Sequence, residues 1–122
     1  MAIIPVGHRY ADNDSFPVET LRAESFMLLE KDAKAEISAI FEKHSLTPKF
    51  HFTTWDDYAV MSIGESGLDI SILPSLILTR IPYKIVAKPL NVPAYRDVGI
   101  ALKSSKTASL SVRRFMEYLQ YR

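Results

Sequence analysis

The 122-residue sequence contains no cysteine. This absence excludes disulfide bonds, thiolate zinc sites and cysteine nucleophiles, and it agrees with a reducing compartment, of which the cytosol is the simplest. No apolar run approaches the roughly 18 residues of a membrane span, and the opening residues turn polar too soon for a secretory signal. We therefore expect a soluble, unprocessed, cytoplasmic protein with no membrane partner.

The sequence also lacks an excess of charge and the motifs of common catalytic sites. Its 15 basic and 14 acidic residues give a net charge of +1, which provides no electrostatic drive for tight non-specific binding to nucleic acid. His8, His44 and His51 have neither the spacing nor the neighbouring carboxylates of a metal site. No Gly-x-Ser-x-Gly turn holds the serines near the end of the chain. We predict no metal, no cofactor and no enzymatic activity.

What the sequence does contain is the pattern of one α/β domain, with 48% hydrophobic residues. The apolar run at 26–29 predicts a strand buried on both faces, which favours a parallel sheet. Phe50 and Phe52 alternate with polar residues, which predicts a strand with one face inward. The full set of predicted strands is 2–6, 26–29, 49–53, 68–72, 83–87 and 98–102.

Three helices and two shorter helical turns, at 18–22 and 75–80, complete the predicted elements. The first helix begins at the cap Asp32, ends before Pro48 and has an apolar face of Ala33, Ile37, Ile40, Phe41 and His44. The second is capped by Thr54, runs from Trp55 to about Ser66, and stops at a left-handed Gly67. The third follows Ser109 or Ser111, with an apolar stripe of Val112, Phe115, Met116 and Leu119 and an Arg113–Glu117 pair.

The second helix is apolar on more than one side. One edge carries Trp55, Ala59, Val60 and Ile63, which suit the core. The other carries Tyr58, Met61, Ser62 and Glu65, which a small domain cannot easily cover by itself. We predict that this second edge contacts a partner; coverage by the terminal helix is the alternative.

Ligands of parallel α/β sheets bind at the carboxyl ends of the strands, which points here to the loops after Leu29, Thr53 and Leu73. Around two of these loops, and again further on, the sequence resembles the effector-binding domain of LysR-type transcriptional regulators. The resemblance runs from about residue 3 to 119, and its specific segments are HFTTWDDYAVM (51–61), ESGLDISILPS (65–75) and AYRDVGIALK (94–103).

The resemblance implies part of a periplasmic-binding-protein-like (type 2) fold. In that family two α/β subdomains joined by two crossing strands hold a small-molecule inducer between them, and a winged helix-turn-helix binds DNA. Here 1–8 corresponds to the first crossing strand, 9–90 to the second, Rossmann-like subdomain, and 91–122 to the return strand and C-terminal helix. The DNA-binding domain and most of the first subdomain have no counterpart in the sequence. We therefore expect hinge closure about Val6 and Tyr95, but weak or no effector binding by this chain alone.

The resemblance also implies functional residues. The cleft would be lined by Val6, Thr53, Thr54, Trp55, Leu73 and Pro74, and the second helix would contact the other subunit of a homodimer. Thr54 as a simple helix cap is an equal alternative, and for Trp55 core packing is favoured over a place on the cleft floor. Asp56 and Asp57 compete with a carboxylate ligand, so an uncharged, amphipathic or cationic effector is as plausible as an acid.

Two departures from the family pattern stand out. Asp69 occupies a position where family members usually have a small residue, commonly glycine, and so puts a charge at the start of a buried strand. Arg9 and Tyr10 replace Pro-Leu, which we expect to alter only a surface turn. Two further functions stay open: a stand-alone interaction module that dimerises, and a solute-binding fragment of a transport system.

Overall fold

The fold is a short-stranded sheet with helices packed on it. The computed structural model describes residues 1–30, 33–104 and 106–119, without the side chains of 33–35. Its strands and helices are β1 (Ala2–Pro5), β2 (Ser25–Leu29), α1 (Ala33–Lys43), β3 (Lys49–Thr54), α2 (Asp57–Glu65), β4 (Ser71–Ile72), β5 (Ile85–Lys88) and α3 (Leu110–Leu119). None of the helices in this described part has the length and hydrophobicity that a membrane crossing requires.

Strand β1 lies between β4 and β5 and runs antiparallel to both. Ala2 pairs with Ile72 on one side and with Lys88 on the other. The β1–β4 ladder continues one residue further, because Met1 and Leu73 exchange two backbone hydrogen bonds of 2.9 Å. The apolar residues of β1 are buried, as a central strand requires.

Strands β2 and β3 form a parallel pair, which confirms the predicted parallel arrangement for this part of the sheet. A parallel bridge between Phe26 and Ile70 places β2 beside β4. Across this seam the Ser71 hydroxyl donates to the Met27 carbonyl at 2.7 Å, so this buried hydroxyl is satisfied. The two groups of strands therefore share one sheet, with β3 beside β2 and β5 beside β1.

The core lies around β1, β2 and α2. Helix α1 packs on β2, and α2 packs across β1, β2, β3 and β5. Phe26 meets Phe41 of α1 edge to face, with 5.3 Å between ring centroids. The predicted inward residues Ile37 and Phe41 are buried. The predicted cap Asp32 and the side chain of Ala33 lie outside the described residues.

The structure confirms several local predictions. Residues 26–29 are buried throughout, Val18–Arg22 and Ser75–Thr79 form short 3₁₀ helices, and Gly67 ends α2 with φ of +76°. That positive φ is unfavourable for residues with a Cβ, which explains a glycine at this position.

The prediction that β3 turns one face inward is wrong. The register pairs Phe26 with Phe50 and Met27 with Phe52, so His51 is an extra residue in a β-bulge. Because Phe26 and Met27 point to opposite faces of the sheet, the bulge puts Phe50 and Phe52 on opposite faces too. Both rings are partly solvent-exposed.

The predicted strand at 98–102 is also wrong. Residues 98–102, all within the described part of the chain, form no strand and are exposed. The strand predicted at 68–72 is shorter, because only Ser71–Ile72 join a ladder of more than one pair and Leu68 is exposed.

Helix α3 forms as predicted, but its ion pair and its burial differ from the prediction. Ser109 provides the cap, because its hydroxyl accepts from the Val112 N–H at 3.3 Å. Arg114, rather than Arg113, pairs with Glu117, at 2.9 Å. No residue of α3 is buried, although all of them are described.

Candidate functional site

The carboxyl ends of β2, β3 and β4 lie at one end of the sheet. Leu29 pairs with Thr54, and the Glu30 N–H donates to the Thr54 carbonyl at 2.8 Å. The Phe26–Ile70 bridge is parallel, so the chain leaves β4 at this same end, at Leu73. We call this end of the sheet the rim; its residues are Thr53, Thr54, Trp55, Leu73 and Pro74.

The rim side chains differ in accessibility. Thr53 is exposed, Thr54 is half-buried, and Trp55 has 67% of its surface exposed. The favoured prediction that Trp55 packs in the core is therefore wrong. Helix α2 begins at Asp57, so Trp55 belongs to the preceding connection and does not follow the helix face that enters the core.

The amino end of α2 is already capped by its own side chains. Asp56 is the N-cap residue, and its carboxylate accepts from the Tyr58 N–H at 2.9 Å. The Thr54 hydroxyl accepts from the N–H of Asp56, the cap residue itself, at 3.2 Å. The prediction of Thr54 as the helix cap is therefore corrected. With these amides bonded and Asp56 and Asp57 beside them, this helix end offers little attraction for an anion.

Leu73 and Pro74 contribute to the rim differently from Thr53. The Leu73 side chain is buried, so this residue reaches the rim through its backbone, which is bonded to Met1. Pro74 is half-buried and precedes the 3₁₀ helix Ser75–Thr79.

The structure does not bring Val6 to the rim. Since β1 is antiparallel to β4, its carboxyl end points to the opposite end of the sheet, and Val6 is exposed there. The prediction of Val6 as a cleft residue beside Thr53 is wrong for this reason. The chain instead passes the rim at Ala2, which pairs with Lys88 of β5. Sequence patterns give strand positions, but not the direction in which β1 runs.

Three of the four residues of the predicted partner-facing edge of α2 are exposed. Tyr58 is 59% exposed, and Ser62 and Glu65 are exposed as well, so α3 does not cover them. Met61 is only 1% exposed, and its assignment to this edge is corrected: Val60, Met61 and Gly64 face the core together. The Glu65 carboxylate accepts from the Lys84 N–H at 2.8 Å.

A shallow depression that sequence reasoning missed lies at the end of the sheet opposite the rim. Its lining residues are Pro5, Gly7, His8, Arg9, Ala23 and Glu24. Arg9 donates to Glu24 at 2.7 Å, and His8 Nε2 lies 3.5 Å from the same oxygen. The only signal in the sequence was the departure from the family pattern at Arg9 and Tyr10.

Comparison with known proteins decides the family. A family model described as LysR substrate binding domain matches residues 1–122, the whole sequence. The chain belongs to this family. Among curated proteins, this LysR substrate binding domain is 25% identical over 112 residues to the uncharacterized HTH-type transcriptional regulator YvbU of Bacillus subtilis (strain 168). The match covers 90% of this chain but 38% of YvbU, so the chain spans well under half of that relative.

Solved structures agree on the fold. The C-terminal domain of a probable LysR family transcriptional regulator from Rhodococcus sp. RHA1 superposes with a TM-score of 0.73 at 16% identity, over 98% of this chain and 62% of that one. The CcmR regulatory domain of Synechocystis PCC6803, in complex with 2-PG, gives 0.71 at 18% identity, over 97% and 59%. This LysR substrate binding domain therefore has part of the periplasmic-binding-protein-like fold of effector-binding domains.

Proposed function

We propose that this chain is the ligand-sensing part of a LysR-type transcriptional regulator and that its rim forms one wall of a small-molecule cleft. The observation that carries the proposal is the convergence of three strand ends at the rim, where Thr53 and Trp55 are exposed beside the half-buried Thr54. The CcmR regulatory domain, which shares the fold, was solved with the small molecule 2-PG. In this proposal the second cleft wall and the DNA-binding domain lie outside the sequence.

The charges at the rim indicate the kind of effector. Asp56 and Asp57 are adjacent, and the N–H groups of Asp56 and Tyr58 are already bonded within the chain. An incoming carboxylate would meet negative charge and few free donors. The exposed indole of Trp55 offers a face that attracts cations and flat rings. We therefore expect the part of the effector that faces α2 to be uncharged or cationic.

Domain closure provides a mechanism for sensing. The chain passes the rim at both Ala2 and Lys88, where two neighbouring strands can act as the connection to the second wall. A ligand that contacts both walls binds the closed form more tightly and shifts the population towards it. We therefore propose that the bending points lie at the rim, near Ala2 and Lys88, in place of Val6 and Tyr95.

Amide NMR of the chain, with three probes of similar shape, tests the rim. Benzamidinium, benzamide and benzoate differ mainly in charge. We expect shifts centred on Thr53, Thr54 and Trp55, in the order benzamidinium, benzamide, benzoate, with dissociation constants weaker than about 1 mM because one wall encloses little of a ligand. Shifts centred on His8 and Arg9 instead would contradict the proposal, and micromolar binding would contradict the single-wall geometry.

A matched pair of variants shows whether the shifts report the rim. Thr53→Val should reduce the shifts at neighbouring amides, because it removes a hydroxyl at the carboxyl end of β3. Thr47→Val removes the same group at an exposed position ahead of the amino end of β3 and should leave them unchanged. Equal effects of the two substitutions would show that the shifts do not report the rim.

We also propose that the exposed edge of α2, formed by Tyr58, Ser62 and Glu65, contacts a second subunit. Light scattering on the chain should show a dimer that Tyr58→Asp converts to monomer, because a desolvated carboxylate opposes the contact. Tyr95→Asp is the matched control, since Tyr95 is exposed and outside α2. A dimer that survives Tyr58→Asp would remove α2 from the interface. If the chain is a dimer and none of benzamidinium, benzamide and benzoate changes its amide NMR spectrum, the alternative of a stand-alone interaction module would be favoured.

A further inference from the structure

The bulge in β3 lies beside an unusual polar pair. His51, the extra residue of the bulge, places its Nδ1 3.0 Å from the Oδ1 of Asp69. Asp69 comes just before Ile70, the residue that bridges to β2, whereas His51 belongs to the strand on the other side of β2. The contact therefore spans β2 and joins β3 to the start of β4.

The two members of the pair have different surroundings. The Asp69 side chain is completely buried, with 0% exposure, while that of His51 is 53% exposed. The second carboxylate oxygen, Oδ2, is buried and has no hydrogen-bond partner within the described part of the chain. A buried carboxylate without partners is strongly unfavourable. Conformations that keep the contact with His51 are therefore favoured over those that lose it.

The register of β3 determines which residues reach the rim. In the observed register Leu28 pairs with Thr53 and Leu29 with Thr54. If the bulge were lost, β3 would shift by one residue, and Thr53 would pair with Leu29 in place of Thr54. A shift of one residue moves every side chain beyond the bulge to the opposite face of the sheet. The sheet face on which Thr53 lies therefore depends on the bulged register.

We propose that the His51–Asp69 hydrogen bond holds β3 in the bulged register and thereby positions Thr53 and Thr54 at the rim. His51 and Asp69 are positioning residues that do not touch the effector themselves. The importance of this arrangement for sensing rests on the proposed function. The register itself is a property of the chain and can be measured without any ligand.

The test compares Asp69→Ala, which removes the acceptor, with Asp69→Asn, which keeps an acceptor oxygen for His51. We expect Asp69→Ala to weaken the Met27–Phe52 contacts in nuclear Overhauser spectra, to give new Met27–His51 contacts, and to reduce hydrogen-exchange protection on β3 at least about tenfold. Asp69→Asn should restore the Met27–Phe52 contacts, and Asp12→Ala, at an exposed aspartate, should leave them unchanged. An Asp69→Ala protein that retains the Met27–Phe52 contacts would overturn the proposal.

A second measurement uses the unmodified chain and does not depend on the folding of a variant. The carboxylate accepts from His51 only if Nδ1 carries a hydrogen. Long-range proton–nitrogen correlation spectra should therefore show a protonated Nδ1 for His51. An unprotonated Nδ1 beside an ionised Asp69, the latter read from its carboxyl carbon chemical shift, would leave neither group able to donate and would overturn the proposal even if no variant folds. Because no effector is added, these results stand apart from the test of the rim.

Discussion

The region up to Leu90 and the region after Pro93 use apolar residues very differently. Every buried hydrophobic residue of the described chain lies at or before Leu73. The second region contains Val98, Ile100, Leu102, Leu110 and Phe115, all of them exposed. Both regions show strand or helix periodicity, so periodicity predicts where an apolar face forms but not what covers it.

The physical difference lies in the number of supporting contacts. Strands β1 and β5 pair through four residues each, and α2 packs on both. The second region is joined to the first by contacts such as Arg96 with Glu36, at 3.3 Å and partly exposed. Ion pairs of this kind contribute little because solvent screens them. Among the described residues, α3 therefore contributes no buried residue to the core.

The largest expected difference between the two regions is the loss of unfolding free energy when an aromatic ring is removed. Phe26→Ala should lower the free energy of unfolding by about 3–5 kcal/mol, because it removes a buried ring that packs on Phe41. Phe115→Ala, in the exposed region, should change it by less than about 0.5 kcal/mol. Urea unfolding followed by circular dichroism measures both. Similar losses for the two variants would show that α3 belongs to the cooperative core.

A smaller effect is expected at the helix caps. Asp56→Ala removes the bond to the Tyr58 N–H and should lower the free energy of unfolding by about 1 kcal/mol, because α2 is part of the core. Ser109→Ala removes the equivalent bond to Val112 in α3. It should reduce protection of the α3 amides in hydrogen exchange and leave the urea midpoint unchanged. A shift of the urea midpoint in Ser109→Ala would show that the two regions unfold together.

The smallest effect concerns the junction between the regions. The pKa of Glu19 is lowered from its ordinary 4.5. The first cause is a hydrogen bond from the backbone N–H of Glu19 itself, and the second is one from the Asn91 side chain at 3.3 Å. The lowered pKa contributes stability above the unfolded-state pKa, and this is lost as pH falls through the folded-state pKa. Asn91→Ala should raise the pKa of Glu19 towards its ordinary value in a carboxyl carbon NMR titration. Asn13→Ala is the control at an exposed asparagine. An unchanged Glu19 pKa in Asn91→Ala would exclude the Asn91 hydrogen bond as a cause of the lowered value.

Predictions based on local sequence agree best with the structure. The apolar run of β2 and the glycine that ends α2 depend on residues close in sequence, and both were predictable. The face that Phe52 presents depends on a bulge opposite β2 and on Asp69, which is 18 residues from His51. No period in the sequence encodes that contact.

In the candidate site, too, features set by local sequence were predictable and those set by distant contacts were not. The strand ends at Leu29, Thr53 and Leu73 were predictable, because parallel strands bring their carboxyl ends together. The position of Val6 was not, because it depends on β1 running antiparallel to β4. The exposure of Trp55 follows from a helix that begins two residues later than its amphipathic pattern indicated. Boundaries and strand directions depend on tertiary contacts that sequence patterns do not contain.

The pairing of β1 with β5 has a consequence for how the chain folds. Ala2 pairs with Lys88 and Pro5 with Ile85, so the central strand finds its second partner only after residues 85–88 have been synthesised. Until then its Ala-Ile-Ile segment can pair only with β4 and keeps one edge unpaired. Contacts so distant in sequence slow folding, because the intervening loop must close first. For a nascent chain, the vulnerable interval ends when β5 leaves the ribosome and completes the sheet.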